Sequence, residues 1–130
     1  MKLTLNIIHP VELARQITLL DHRMFRTIHV HEFLHSNWIK SSKNEKAMNI
    51  VNIIGQFNKL SFWTVTQMLQ TPILEERGKL LEMFIKMAYA CYELNNFNSL
   101  MAIVSALKHP SIARLQQSWV SFPFFSIFPS

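Results

Sequence analysis

The feature that most constrains the fold is a cluster of three asparagines, Asn95, Asn96 and Asn98, inside a stretch that otherwise has a helical pattern. Asparagine side chains compete with the backbone for hydrogen bonds, so such a cluster is costly inside a helix and favourable at a helix end. The run 94–103 therefore predicts that one helix ends there and another begins. We expect the asparagines to organise this junction, with Phe97 packed beneath it.

Apolar residues recur every three or four positions along most of the chain, which is typical of amphipathic helices. Two glycines leave few places for tight β-turns. The sequence predicts an all-α orthogonal array of about six helices. These helices are expected over residues 10–26, 31–38, 48–71 (as one helix or as two that meet near Asn58), 74–94, 97–107, and from Pro110 onward.

Three of these helices carry apolar stripes that are expected to face the core. The first stripe is Leu13, Ile17, Leu20 and Met24; the second is Val51, Ile54, Phe57, Phe62, Val65 and Leu69; the third is Leu81, Phe84, Ile85, Ala88 and Tyr92.

Composition bounds the class of protein. A length of 130 residues fits one domain, and 49% hydrophobic residues with a mean hydropathy of +0.13 argue against disorder. The single Cys91 rules out an intramolecular disulfide and is expected to be a buried small side chain rather than a nucleophile. The segment 1–8 is too short and polar for a signal peptide, and no apolar run is long enough to span a membrane. The net charge of +5 is scattered, so nucleic-acid binding is not expected.

The residues His31, Glu32 and His35 form an H-E-x-x-H motif. On a helix, two histidines four residues apart can hold zinc while the glutamate activates a water. The residues that follow supply neither the glycine nor the third histidine of the extended motif. Zinc peptidase activity is therefore a remote alternative, and the favoured interpretation is a chance match on a partly exposed short helix.

Three blocks of sequence carry a resemblance to a known family. They are 9–21 with Phe25 and Arg26; 49–63; and 84–88 with 93–98, 105–107, Arg114 and Leu115. In this order they resemble the catalytic domain of Ras-type guanine-nucleotide exchange factors (RasGEF), over residues 9–119.

The resemblance implies a function. RasGEF domains bind a nucleotide-free small GTPase more tightly than the loaded form, and so they speed nucleotide release without covalent chemistry. We therefore expect a factor that is not an enzyme, has no catalytic residue and needs no cofactor. The implied partner is a small GTPase of the Ras, Rap or Ral type. The implied location is the cytoplasm, with recruitment by partners to the inner face of the plasma membrane.

The segment 120–130 departs from the family pattern. Family domains continue with a helical hairpin that displaces the first switch of the GTPase, whereas this segment is aromatic and contains two prolines. It could arise from intron read-through or from an internal deletion. We expect a truncated isoform or fragment with weak or no exchange activity. The alternative is a module that binds a GTPase, or dimerises through uncovered core surface, without exchange.

The resemblance also indicates which residues contact the GTPase. Polar or aromatic residues near helix ends are the candidates, because most apolar members of the blocks belong to the core. The candidates are Arg15, Gln16, Asn58, Ser61, Arg114 and Trp119. For Arg114, a structural ion pair with Glu93 is an equally good expectation.

Overall fold

The computed structural model describes residues 8–36, 39 and 46–120, apart from the side chains of residues 35, 36, 116 and 120. The segments 1–7, 37–38, 40–45 and 121–130 lie outside it, and with them most of the predicted N-terminal segment, the end of the predicted 31–38 helix and the aromatic tail. The α-helices are α1 (Pro10–Arg26), α2 (Met48–Leu69), α3 (Leu74–Glu93), α4 (Phe97–Leu107), α5 (Pro110–Ala113) and α6 (Gln116–Val120), with a 3-10 helix at Val30–Ser36. The prediction of an all-α chain with about six helices is confirmed.

Two helices begin in the same way. The backbone N–H of Val11 donates to Nδ1 of His9 at 3.2 Å, and a proline occupies the first position of α1. At the start of α5, the backbone N–H of Ser111 donates to Nδ1 of His109 at 3.2 Å, and again a proline follows the histidine. Proline at this position loses no intrahelical hydrogen bond, since the first N–H groups of a helix have no partner within it.

The helices pack in two principal contacts, α1 against α3 and α2 against α4, while α6 lies on α3 and α5 on α2. Phe84 of α3 is fully buried at the centre, where the ring of Trp63 meets it edge to face at 5.6 Å between ring centres. Met68 and Ile103 complete this part of the core, together with Met87. Ala14 of α1 belongs to the same cluster, so the core links all four long helices.

The predicted apolar stripes are only partly buried. Ala14 and Asp21 are buried on α1, whereas Leu20 is exposed. Helix α2 is one continuous helix that carries apolar side chains all round, so its hydrophobic period does not select the face that packs. The predicted core residues that are in fact exposed are Leu20, Ile54, Phe62, Leu69, Tyr92 and Phe97.

Gly55 offers a direct test of helix propensity in α2. A Cβ built at this position meets no neighbouring atom within 4 Å, and the residue lies in the middle of the helix. We expect Gly55→Ala to raise the free energy of unfolding by about 0.5–1 kcal/mol, because alanine loses less backbone entropy in a helix. Urea denaturation of the two proteins measures this. An unchanged midpoint would mean that α2 is frayed at this point in solution.

Candidate functional site

The asparagine cluster ends α3 and starts α4. Asn95 adopts a left-handed conformation with φ of 59°, which asparagine tolerates better than most residues. Its N–H donates to the carbonyl of Tyr92 at 3.0 Å, and the N–H of Asn96 donates to the carbonyl of Cys91 at 2.8 Å. This pair of bonds is the Schellman arrangement that satisfies the last carbonyls of a helix.

Asn96 then joins the new helix to α1 through its side chain. Its Oδ1 accepts from the backbone N–H of Ser99 at 3.1 Å, which caps α4. Its Nδ2 donates to Oδ2 of Asp21 at 3.0 Å and to Oγ1 of Thr18 at 3.1 Å. The Ser99 hydroxyl donates to the same Asp21 oxygen, and Asp21, Asn96 and Ser99 are all buried. The junction is thus tied to α1 by a compact set of buried hydrogen bonds.

Of two neighbours of this set, Phe97 differs from expectation and Cys91 agrees with it. Phe97 is 54% exposed and meets the ring of Tyr92 at the surface, so it does not pack beneath the junction. Cys91 is buried as expected, and burial together with the negative charge of Asp21 raises the pKa of its thiol to about 11. A thiol that keeps its proton at neutral pH is a poor nucleophile.

The glutamate of the H-E-x-x-H motif is a structural residue. The Glu32 carboxylate is 2% exposed and accepts from the backbone N–H groups of His29 (2.8 Å), Asn49 (2.7 Å) and Ile50 (3.2 Å). The side-chain amide of Asn49 donates to it as well, at 3.1 Å. Glu32 therefore caps the N-terminus of α2 from the 3-10 helix, where the helix dipole favours a negative charge.

These contacts also decide the ionisation of Glu32. Burial alone would raise the pKa of the carboxyl, but the hydrogen bonds from His29, Asn49 and Ile50 outweigh it and lower the pKa to about 2. A carboxylate that accepts this many donors cannot also orient a water. His31 is exposed and stacks on His29 with ring centres 5.5 Å apart, while the side chain of His35 lies outside the description. Among the described residues, no three or more histidine, cysteine or acidic side chains come together in a way that could hold a metal.

The candidate residues Asn58 and Ser61 share the outer face of α2. They are three residues apart, so they lie side by side on the helix, and Asn58 is exposed while Ser61 is half-buried. Ile54 and Phe62 belong to the same face, and Phe62 is 75% exposed. We call this face, defined by Ile54, Asn58, Ser61 and Phe62, the α2 outer face. The apolar stripe of α2 predicts Ile54 and Phe62 as core residues, whereas both are exposed, and no sequence signal distinguishes them from core residues.

The candidates Arg15 and Gln16 lie on the exposed side of α1, where both are bonded to Glu12. Gln16 Nε2 donates to Oε1 of Glu12 at 2.9 Å, and Arg15 Nη1 approaches Oε2 at 3.5 Å. A partner that used either side chain would have to replace these exposed contacts, which are individually weak.

The last two candidates lie near the end of the described chain. Arg114 is exposed, and its Nε donates to the carbonyl of Ser111 at 3.4 Å instead of pairing with Glu93. Trp119 is half-buried, and its indole N–H donates to the carbonyl of Ile112 at 3.2 Å. The six candidates therefore form three pairs, on α1, on α2 and around α5 and α6.

Comparison with known proteins decides the family. Residues 12–126 match the RasGEF domain. The chain belongs to the RasGEF family. It is 41% identical over 110 residues to Ras guanine nucleotide exchange factor E of Dictyostelium discoideum, covering 85% of this chain and 11% of that protein. It is 36% identical over 115 residues to exchange factor M of the same organism, covering 88% of this chain and 12% of that protein.

A mammalian relative is equally similar. The Ras-specific guanine nucleotide-releasing factor RalGPS1 of Mus musculus is 41% identical over 110 residues, which cover 85% of this chain and 19% of that protein. The chain thus spans between about a tenth and a fifth of the length of these curated relatives. The RasGEF match extends into the aromatic segment as far as residue 126, and the boundary at residue 119 stays a prediction.

One expectation is wrong at the level of the family. We expected a factor that is not an enzyme, because exchange makes and breaks no covalent bond. The RasGEF family catalyses nucleotide exchange on GTPases, and the relatives are named as exchange or releasing factors. Lowering the barrier to nucleotide release is catalysis, whether or not a covalent bond changes.

Proposed function

We propose that this chain acts as a guanine-nucleotide exchange factor on a Ras-family small GTPase and that the α2 outer face contacts the GTPase. The observation that supports this is the 75% exposure of Phe62 beside Asn58, on a helix whose opposite side is buried in the core. A large exposed apolar side chain next to polar groups is typical of a protein–protein contact. Membership of the RasGEF family indicates the kind of partner.

The packing of α2 suits this role. Leu60, Thr64 and Met68 of the same helix are buried, so the outer face is presented by a rigid element. A rigid face loses little conformational entropy on binding. Exchange then follows from differential affinity: a factor that binds the nucleotide-free GTPase better than the loaded form lowers the affinity of the GTPase for its nucleotide by the same ratio.

The choice among Ras, Rap and Ral types depends on surface residues that the family match does not specify.

We propose that the chain works in the cytoplasm and that partners bring it to the inner face of the plasma membrane. None of the described helices is both long and apolar enough to cross a membrane.

Release of a fluorescent guanine nucleotide from Ras, Rap and Ral proteins, with this chain in excess, tests the proposal. We expect binding to the nucleotide-free form of at least one of the three in a parallel titration. We expect at most a weak acceleration of its nucleotide release, because the segment 120–130 departs from the family pattern. Binding without faster release would favour an interaction module that does not exchange. If the chain neither binds any of the three GTPases nor speeds nucleotide release, the proposal is wrong.

The variant Asn58→Ala tests the α2 outer face. We expect the affinity for the nucleotide-free GTPase to fall about tenfold, which corresponds to about 1.4 kcal/mol. The melting temperature should change by no more than about 3 °C, because Asn58 is exposed. Lys79→Ala is the matched control: Lys79 is an exposed residue of α3 whose only described partner is Glu75, so its loss should leave both quantities unchanged. Equal affinities for the two variants would exclude Asn58 from the contact.

A further inference from the structure

A second apolar surface lies away from the α2 outer face, where α3, α4 and α5 meet the end of α6. It is a groove of about 430 Å³, and apolar residues line it except for one lysine. We call it the α4 groove. The residues that line it are Ile85, Val104, Leu107, Lys108, Ala113 and Trp119.

The chain itself continues directly from this groove. Trp119 is the next-to-last residue of α6, and residues 121–130 follow it. Ten extended residues reach about 33 Å, which exceeds what is needed to return to a groove that Trp119 already lines. The segment contains no charged residue, so it carries no electrostatic cost into an apolar groove. Its apolar residues are Phe122, Phe124, Phe125, Ile127 and Phe128.

We propose that the segment 122–128 folds back and occupies the α4 groove of its own chain, with its phenylalanines against Val104, Leu107 and Trp119. A groove of this volume is in the range that holds ligands of several rings. Each phenylalanine that enters it removes a large apolar surface from water. This proposal does not depend on the proposed exchange activity.

The short tether favours the chain's own segment over a second copy. A segment held within a few residues of its site has an effective concentration of about millimolar. At micromolar protein concentrations, the intramolecular contact is therefore more populated than the same contact made by a neighbouring molecule. Pro123 disfavours a continuation of α6 into the segment, because a proline ring clashes with the carbonyl four residues earlier, here that of Trp119.

The experiment uses the full chain with Phe125→Cys carrying a nitroxide spin label. Cys91 is buried and keeps its proton, so the label should attach to the new cysteine alone. We expect loss of the methyl signals of Ile85, Val104 and Leu107 in NMR spectra at micromolar concentration. The methyl signals of Ile54, on the α2 outer face, serve as the control and should persist.

The result that would overturn the proposal is equally specific. Persistence of the groove signals at every concentration would mean that the segment lies elsewhere. Loss of these signals only at high concentration would mean that the segment occupies the groove of a second copy. A further change of Phe124 and Phe128 to aspartate, made in the labelled protein, should restore the groove signals. Signals that stay lost in this variant would also contradict the proposal, because the contact would then not depend on the apolar side chains.

Discussion

Replacing Asn96 with alanine is expected to lower the free energy of unfolding by about 3 kcal/mol, the largest loss that any single hydrogen-bonding side chain at the junction should give. About 1 kcal/mol comes from the lost cap on the N–H of Ser99. About 2 kcal/mol comes from the donor that Asp21 loses, because a buried carboxylate that is left short of partners is costly. Chemical denaturation at neutral pH measures the sum.

Two further variants separate these contributions. Asn98→Ala is the matched control, since Asn98 lies in the first turn of α4 and its side chain makes no hydrogen bond within the described part of the chain. Its effect should stay within about 0.5 kcal/mol. Asn96→Asp keeps an acceptor for the cap but places a second carboxylate beside Asp21, so it should be at least as destabilising as alanine. Equal stabilities for Asn96→Ala and Asn98→Ala would mean that the buried hydrogen bonds contribute nothing.

The junction between α3 and α4 separates what neighbouring residues predict from what depends on tertiary contacts. Competition between asparagine side chains and the backbone is a local effect, and it correctly located the end of α3 and the start of α4. The partner of Asn96 lies 75 residues earlier in the chain, at Asp21. No periodic pattern points to a buried aspartate, and the adjacent Leu20, which continued the apolar stripe, is exposed instead. Tertiary contacts, not propensity, bury the polar residue.

Helix α2 shows a different limit. The sequence predicted its extent well, from Met48 to shortly before Pro72. It assigned Ile54 and Phe62 to the core stripe, although both are exposed. A helix with apolar residues all round satisfies the periodic pattern with more than one face, and only the packing against α4 selects between them. The pattern therefore could not identify Ile54 and Phe62 as surface residues of the proposed GTPase contact. Asn58 and Ser61 were predicted from the family resemblance.

Glu32 completes an H-E-x-x-H motif by sequence, but its role in the structure is to cap α2. Its spacing to His31 and His35 fits a zinc site, but its carboxylate faces the first turn of α2. The donors there are backbone N–H groups, which nearly every residue type has. The residue types at the start of α2 therefore do not indicate the contact. A capping glutamate that arrives from outside its helix cannot be recognised from the order of residues alone.

Replacing Glu32 with glutamine is expected to lower the melting temperature by roughly 10 °C at pH 7. The amide supplies one acceptor oxygen where the carboxylate supplies two. Its NH₂ group would face either the backbone N–H groups of Asn49 and Ile50 or the backbone N–H of His29. The helix N-terminus also loses the negative charge that stabilises it. If Glu32 served only as a base toward a substrate, the change would leave the melting temperature unaltered.

The dependence on pH gives a sharper test, because its sign follows from the pKa. Folding lowers the pKa of Glu32 from an ordinary 4.5 to about 2. The unfolded chain therefore binds the proton more readily, and the stabilisation from Glu32 is fully present above pH 4.5 and is lost as the pH falls toward 2. The difference in melting temperature between the native chain and Glu32→Gln should accordingly be constant from pH 7 to pH 5 and shrink below pH 4.5. A difference that stays the same down to pH 2.5 would show that the cap acts through its shape and not through its charge.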